Sequence, residues 1–134
     1  MISGEIVFTV ADVKHLNVDF GEKMMPTKIV NKGDVVVLGK KAPKNKWMHK
    51  IVYNSESEYL AGLEDMMYQL CSNAEYVNEL VKTYEEVNIM INIRSEYAEL
   101  GYTIPNHILK KMSLLDCSLD FNVLSFGMAP NTLS

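Results

Sequence analysis

Two stretches of the chain alternate strictly between apolar and polar residues. Val87, Ile89, Ile91 and Ile93 interleave with Asn88, Met90, Asn92 and Arg94. Cys117, Leu119, Phe121 and Val123 interleave with Ser118, Asp120, Asn122 and Leu124. A period of two predicts strands over 87–94 and 117–124, each with one buried face and one wetter face. Residues 4–12 carry the same signature, with Ile6, Phe8 and Val10 on one side and Glu5, Val7 and Thr9 on the other. Val35 to Gly39 reads as a short strand and Trp47 to Tyr53 as another. These two are expected to pair as a hairpin across the basic loop 40–46. Residues 13–33 read as irregular, punctuated by Gly21, Pro26 and the turn signal Asn31-Lys32-Gly33-Asp34.

The period changes between Ser57 and Tyr84. Leu60, Leu63, Met67, Leu70, Ala74, Val77, Val81 and Tyr84 recur at steps of three and four, one stripe along a helix. Ser55 and Glu58 form a capping box at its start. Ser72-Asn73-Ala74-Glu75 repeats the capping pattern midway and predicts a break or kink there. A coiled-coil seam is the weaker reading, because the stripe is short and lacks flanking charge pairs. A shorter helix is expected to begin near Pro105, with Ile104, Ile108, Met112 and Leu115 on one face. The order β-β-β-α-β-α-β predicts an α+β two-layer sandwich: a mostly antiparallel or mixed β-sheet with two or three helices on one face. Residues 4–125 read as a single α+β domain and 126–134 as a flexible C-terminal tail.

Composition adds little to this picture. At 134 residues and 48% hydrophobic, the chain can bury a core without staples. Cys71 and Cys117 fall on apolar faces and read as small buried hydrophobes, with a disulfide between helix and strand left open. The opening MISGEIVFTVADVK lacks a basic segment followed by a long apolar one. The longest apolar run is Val35-Val36-Val37-Leu38, far short of a membrane span. The expectation is a cytoplasmic protein with no membrane contact.

Charge is unevenly spread. Residues 1–54 carry nine Lys against five Asp and Glu, a balance of +4, and residues 55–134 carry four Lys and Arg against twelve acids, a balance of −8. Such asymmetry marks a binding face or simply the solvated side of helices, and the second reading is preferred. The basic segment Lys40, Lys41, Lys44, Lys46 and Lys50 beside Trp47 is the one nucleic-acid-like feature. The acidic whole, with pI near 5.3, and the absence of arginine from the segment argue instead for a solvated loop. Trp47 then reads as an anchor in the core or at a sheet edge.

No phosphate-binding glycine loop, nucleophile elbow or paired-cysteine motif is present. His15, His49 and His107 lack metal-ligand spacing, and no metal or cofactor is expected. The acid pairs Glu64-Asp65 and Glu85-Glu86 flank the apolar helix stripe and read as solvated charges rather than acid–base groups.

Pro26-Thr27, Lys32-Gly33-Asp34, a single Trp47 opening a strand, and a closing Leu119-Asp120-Phe121-Asn122 occur in a suggestive order. In that order and spacing the chain resembles a bacterial family known as domain of unknown function 4279, over about residues 4–125. The resemblance implies a bacterial, cytosolic α+β domain and supplies no catalytic residues. It also implies a short helix before Pro26-Thr27, where residues 13–25 show no helical period.

The leading functional expectation is a non-catalytic protein-binding domain, of immunity type, that meets a basic partner through Glu75, Glu79, Glu85 and Glu86. The alternative is a small-molecule-binding or regulatory domain. It would use the polar sheet face, with Asn88, Asn92, Arg94, Asp120 and Asn122, if the two strands are neighbours. Arg94 is the chain's only arginine and thus the natural anion anchor. A homodimer is the further partner considered, nucleic acid is not expected, and a hydrolytic enzyme has no supporting motif.

Overall fold

The alternating segments pair as predicted into a single mixed sheet. The computed structural model describes residues 2–97 and 101–128. Strand β1 spans Ile2–Asp12, β2 Lys28–Val30, β3 Asn45–Tyr53, β4 Glu86–Tyr97 and β5 Ser118–Met128. Helices are α1 Glu56–Cys71, α2 Ala74–Thr83 and α3 Asn106–Met112. The strand order is β2-β3-β1-β4-β5. β1 lies at the centre, antiparallel to both β3 and β4, while β4 and β5 run parallel and are joined through α3.

One row across the sheet shows why the pattern works. Ile51, Ile6, Ile91 and Phe121 stand side by side on four neighbouring strands. Their face carries Phe8, Val10, Ile89 and Ile93 and is packed by Tyr59, Leu63, Met66, Met67 and Leu70 of α1 and by Val77 and Leu80 of α2. The helix stripe therefore packs on the chain's own sheet, not in a coiled coil. Gly62 permits close approach of α1, since a β-carbon there would lie 2.9 Å from Ile51 Cγ2. Ser55 caps α1, its Oγ accepting from the Glu58 N–H at 3.1 Å. The predicted break falls between Cys71 and Ala74.

Two local expectations need correcting. The strand pairing with β3 is Lys28–Val30, not Val35–Gly39. Three residues are too few to show alternation, and the more apolar Val35–Leu38 run lies in a protruding hairpin lobe closed by an isolated Val35–Lys41 bridge. Residues 13–25, which show no helical period, form no α-helix; a single 3-10 turn, Gly21–Lys23, stands where the family resemblance implies a short helix. β5 continues to Met128, three residues into the segment expected as a tail, and residues 129–134 lie outside the described residues. Among the described residues no helix is long and apolar enough to cross a membrane.

Aromatic rings fill two corners of the core. Trp47 is buried against Phe8 and Phe20, with ring centroids 6.2 and 5.4 Å away, which makes it the expected core anchor. At the other end Tyr59 sits between Tyr53 and Tyr102 at 5.3 and 4.7 Å. Tyr53 donates to the Asn92 carbonyl at 2.7 Å and Tyr59 to the Thr103 carbonyl at 3.1 Å. Burial pushes the Tyr59 hydroxyl up to about 12 and Tyr53 higher still. Both stay protonated and act as fixed donors.

Candidate functional site

β4 and β5 are neighbours, so the polar sheet face exists as imagined from sequence, but its charged groups satisfy one another. Arg94 donates two bonds to Glu5, at 3.1 and 3.0 Å, a fork on a carboxylate one strand away. Glu5 holds the guanidinium still more firmly protonated than usual. The only arginine is thereby occupied. Asp120 accepts from Asn88 Nδ2 at 2.7 Å, and Asn88 is itself buried. Asn92 and Asn122 lie opposite each other on this face.

The four candidate glutamates divide into two groups. Glu85 and Glu86 follow α2 and meet Lys44 of the basic loop at 2.9 and 3.8 Å. Glu85 raises the Lys44 pKa, so the basic and acidic halves neutralise each other at this point. Asp12 ties the same corner together by accepting from the backbone N–H groups of Lys14 and Glu85 at 3.0 and 2.8 Å. Those two bonds hold its carboxyl below the ordinary range. Glu75 and Glu79 stand one turn apart on α2, exposed.

α1 extends this acidic surface. Glu56, Glu58, Glu64 and Asp65 are exposed, and α1 carries no lysine or arginine. Glu64 pairs with His107 of α3 at 3.3 Å. Beside Asp65 lies a hollow of about 370 Å³ lined by Lys23, Asp65, Tyr68, Gln69, Ser72 and Asn73. Gln69 Nε2 donates to the Asp65 carboxylate at 3.2 Å, which leaves Gln69 Oε1 buried and without a donor among the described residues. Tyr68 is 67% exposed at the rim. The Asp65 carboxylate and the Tyr68 ring line the hollow together with the Lys23 ammonium, so it offers both an acid and a fixed positive charge. Sequence reading named Asp65 but passed over Tyr68 and Gln69. Their i, i+4 relation to Glu64 and Asp65 was the available signal.

A second cavity, of about 400 Å³, opens between the 13–27 segment and the β2–β3 edge. Leu16, Val18, Phe20, Met24 and Trp47 give it apolar walls, with His15, Asp19 and Lys46 as polar groups. Its size and lining fall in the usual range for small-molecule sites. The alternation of Leu16, Val18 and Phe20 inside an irregular segment was its trace in the sequence. His49 donates from Nδ1 to the Met25 carbonyl at 2.7 Å.

Both cysteines are free thiols. Cys71 donates to the Lys111 carbonyl at 3.3 Å, and burial pushes the Cys117 thiol up to about 11, unlike an activated nucleophile. Among the described residues no three His, Cys, Asp or Glu side chains are grouped to hold a metal.

The fold and its surfaces define a class: an open-faced α+β two-layer domain with an acidic helical side and a basic hairpin lobe. A family profile described as Domain of unknown function (DUF4279) matches residues 13–125, and the chain belongs to that family. No curated protein and no solved structure matches the chain.

Proposed function

We propose that this is a non-catalytic protein-binding domain whose helical side receives a basic protein. The observation that carries the reading is the outer side of α1, where Glu56, Glu58, Glu64 and Asp65 are exposed and no lysine or arginine stands among them on the helix. These acids speed encounter with a basic partner. Neutralising a basic toxin, as an immunity protein does, is the finer role this surface suits. Glu75 and Glu79 belong to it, whereas Glu85 and Glu86 are engaged by Lys44.

The test is capture from nuclease-treated source-cell extract. The natural chain should retain a stoichiometric basic protein that a variant with Glu64→Lys, Asp65→Lys, Glu75→Lys and Glu79→Lys loses. Equal retention by both chains refutes the reading.

The cavity at Trp47 supports a second reading, a small apolar ligand with an anionic group facing Lys46. It replaces the Arg94 site, because Arg94 is held by Glu5. Trp47 is the only tryptophan, so its emission should change on ligand addition. The homodimer considered from sequence would use the β5 edge, where Phe121 is 49% and Val123 53% exposed.

A further inference from the structure

The hairpin lobe between β2 and β3 breaks two rules at one residue. Leu38 is 91% exposed and has φ 60, a left-handed backbone that leucine rarely adopts. Val35, Val36 and Val37 beside it are 71%, 39% and 78% exposed. Four consecutive exposed aliphatics at a turn return nothing to the stability of this chain, and asparagine or glycine would adopt the turn with less strain. Sequences depart from such rules chiefly where a surface has a use.

Two further features say what the surface meets. Residues 28–50 carry seven lysines and one acid, Asp34. Of these, Lys32, Lys40 and Lys41 flank the tip exposed, and the Asp34 carboxylate accepts from the Asn31 N–H at 2.7 Å. The chain as a whole has a net charge of −4, so it is the lobe's own lysines that give this tip a local positive potential toward a negative surface. The tip's backbone is partly self-satisfied: Val36 N–H donates to the Lys40 carbonyl at 2.7 Å, and the Gly39 and Lys40 N–H groups donate to the Val36 and Val37 carbonyls at 3.3 Å. Self-satisfied backbone lowers the cost of leaving water.

We infer that the lobe is a lipid-contacting tip: Val37 and Leu38 enter the interface of an anionic membrane while Lys32, Lys40 and Lys41 meet its headgroups. A protein partner fits less well. A stable protein interface buries about 800 Å² on each side, far more than a convex four-residue tip presents, whereas an interfacial anchor penetrates only about 5–10 Å. The inference departs from the expectation of no membrane contact, which rested on the lack of a spanning run. It does not depend on the acidic helical side.

The experiment is flotation of the full chain with phosphatidylcholine vesicles, with and without phosphatidylglycerol. The natural chain should float with the anionic vesicles and not with the neutral ones, and binding should fall as salt shortens the Debye length. Leu38→Asn should weaken partition by about tenfold or more and leave the melting temperature unchanged or raised, since asparagine tolerates the left-handed turn. Lys40→Glu with Lys41→Glu should abolish flotation. The inference is overturned if the natural chain stays unbound at low salt, if it floats equally with neutral vesicles, or if Leu38→Asn floats as well as the natural chain. A tip-dependent complex with a purified acidic protein, without vesicle binding, overturns it in favour of a protein partner.

Discussion

Gly4 sits where β1, β3 and β4 crowd together, opposite Tyr53 on one side and Ile93 on the other. A β-carbon there would lie 1.8 Å from the Asn92 carbonyl oxygen and 2.5 Å from Tyr53 Oη. Real β-carbons essentially never come closer than 3.0 Å, so Gly4→Ala forces β1 and β4 apart by at least 1.2 Å at this row (3.0 less 1.8). A ladder hydrogen bond lengthened by that much is lost. Two such bonds are worth about 1 kcal/mol each net. Displacing the packed Tyr53 ring adds about 1–3 kcal/mol, and alanine's lower chain entropy returns about 0.5–1 kcal/mol. The net loss is about 3 kcal/mol, a large share of the roughly 5–15 kcal/mol that stabilises an ordinary domain. With a urea slope of about 1.5–2 kcal/mol per M, the unfolding midpoint should fall by roughly 1.5–2 M. Gly101→Ala is the control, since among the described residues nothing lies within 4 Å of a β-carbon built there; it should stay within about 0.5 kcal/mol. If Gly4→Ala unfolds within about 0.5 kcal/mol of the natural chain, the close approach is not a structural requirement.

Two more predictions concern protonation. The Asp12 carboxyl is held low by the Lys14 and Glu85 N–H groups, so the folded state binds its proton less readily than the unfolded chain does. Its contribution is complete above the unfolded value, about 3.9, and fades as pH falls through the lower folded value. The urea midpoints of the natural chain and Asp12→Asn should therefore differ most above about pH 5 and converge in acid. A gap independent of pH would contradict the assignment. Cys117, pushed up to about 11, should react with a thiol reagent at about pH 8 roughly a hundredfold more slowly in the folded chain than in urea. Labelling at the rate of a free cysteine would show that the thiol is not buried.

The legible parts of the fold were those in which one periodicity persists. β1 and β4 each bury one face of a long alternating run, β5 keeps the alternation at the sheet edge with Phe121 and Val123 half-exposed where a buried face was expected, and α1 and α2 keep a stripe interrupted at Ser72-Asn73. β2 was missed because three residues hold no period, and the lobe was misread because Val35–Leu38 is apolar yet exposed. The candidate surfaces depend on distant pairs. Arg94 meets Glu5 across 89 positions and Lys44 meets Glu85 across 41, and no local pattern announces either. Composition gave the charges their sign, and only the fold decided which of them remain available.

The central place of β1 bears on how the chain assembles. It precedes both of its partners in the chain, with Ile6 pairing to Ile51 on one side and to Ile91 on the other. One of its two partner strands, β4, therefore emerges only after β3, α1 and α2 have been synthesised. Pairing across such long sequence separations carries a large loop-closure cost and slows folding. Until β4 arrives, the β1–β3 ribbon keeps one long apolar edge open to other nascent chains. Yield during expression should thus depend on temperature and synthesis rate more steeply than the stability of the finished domain does.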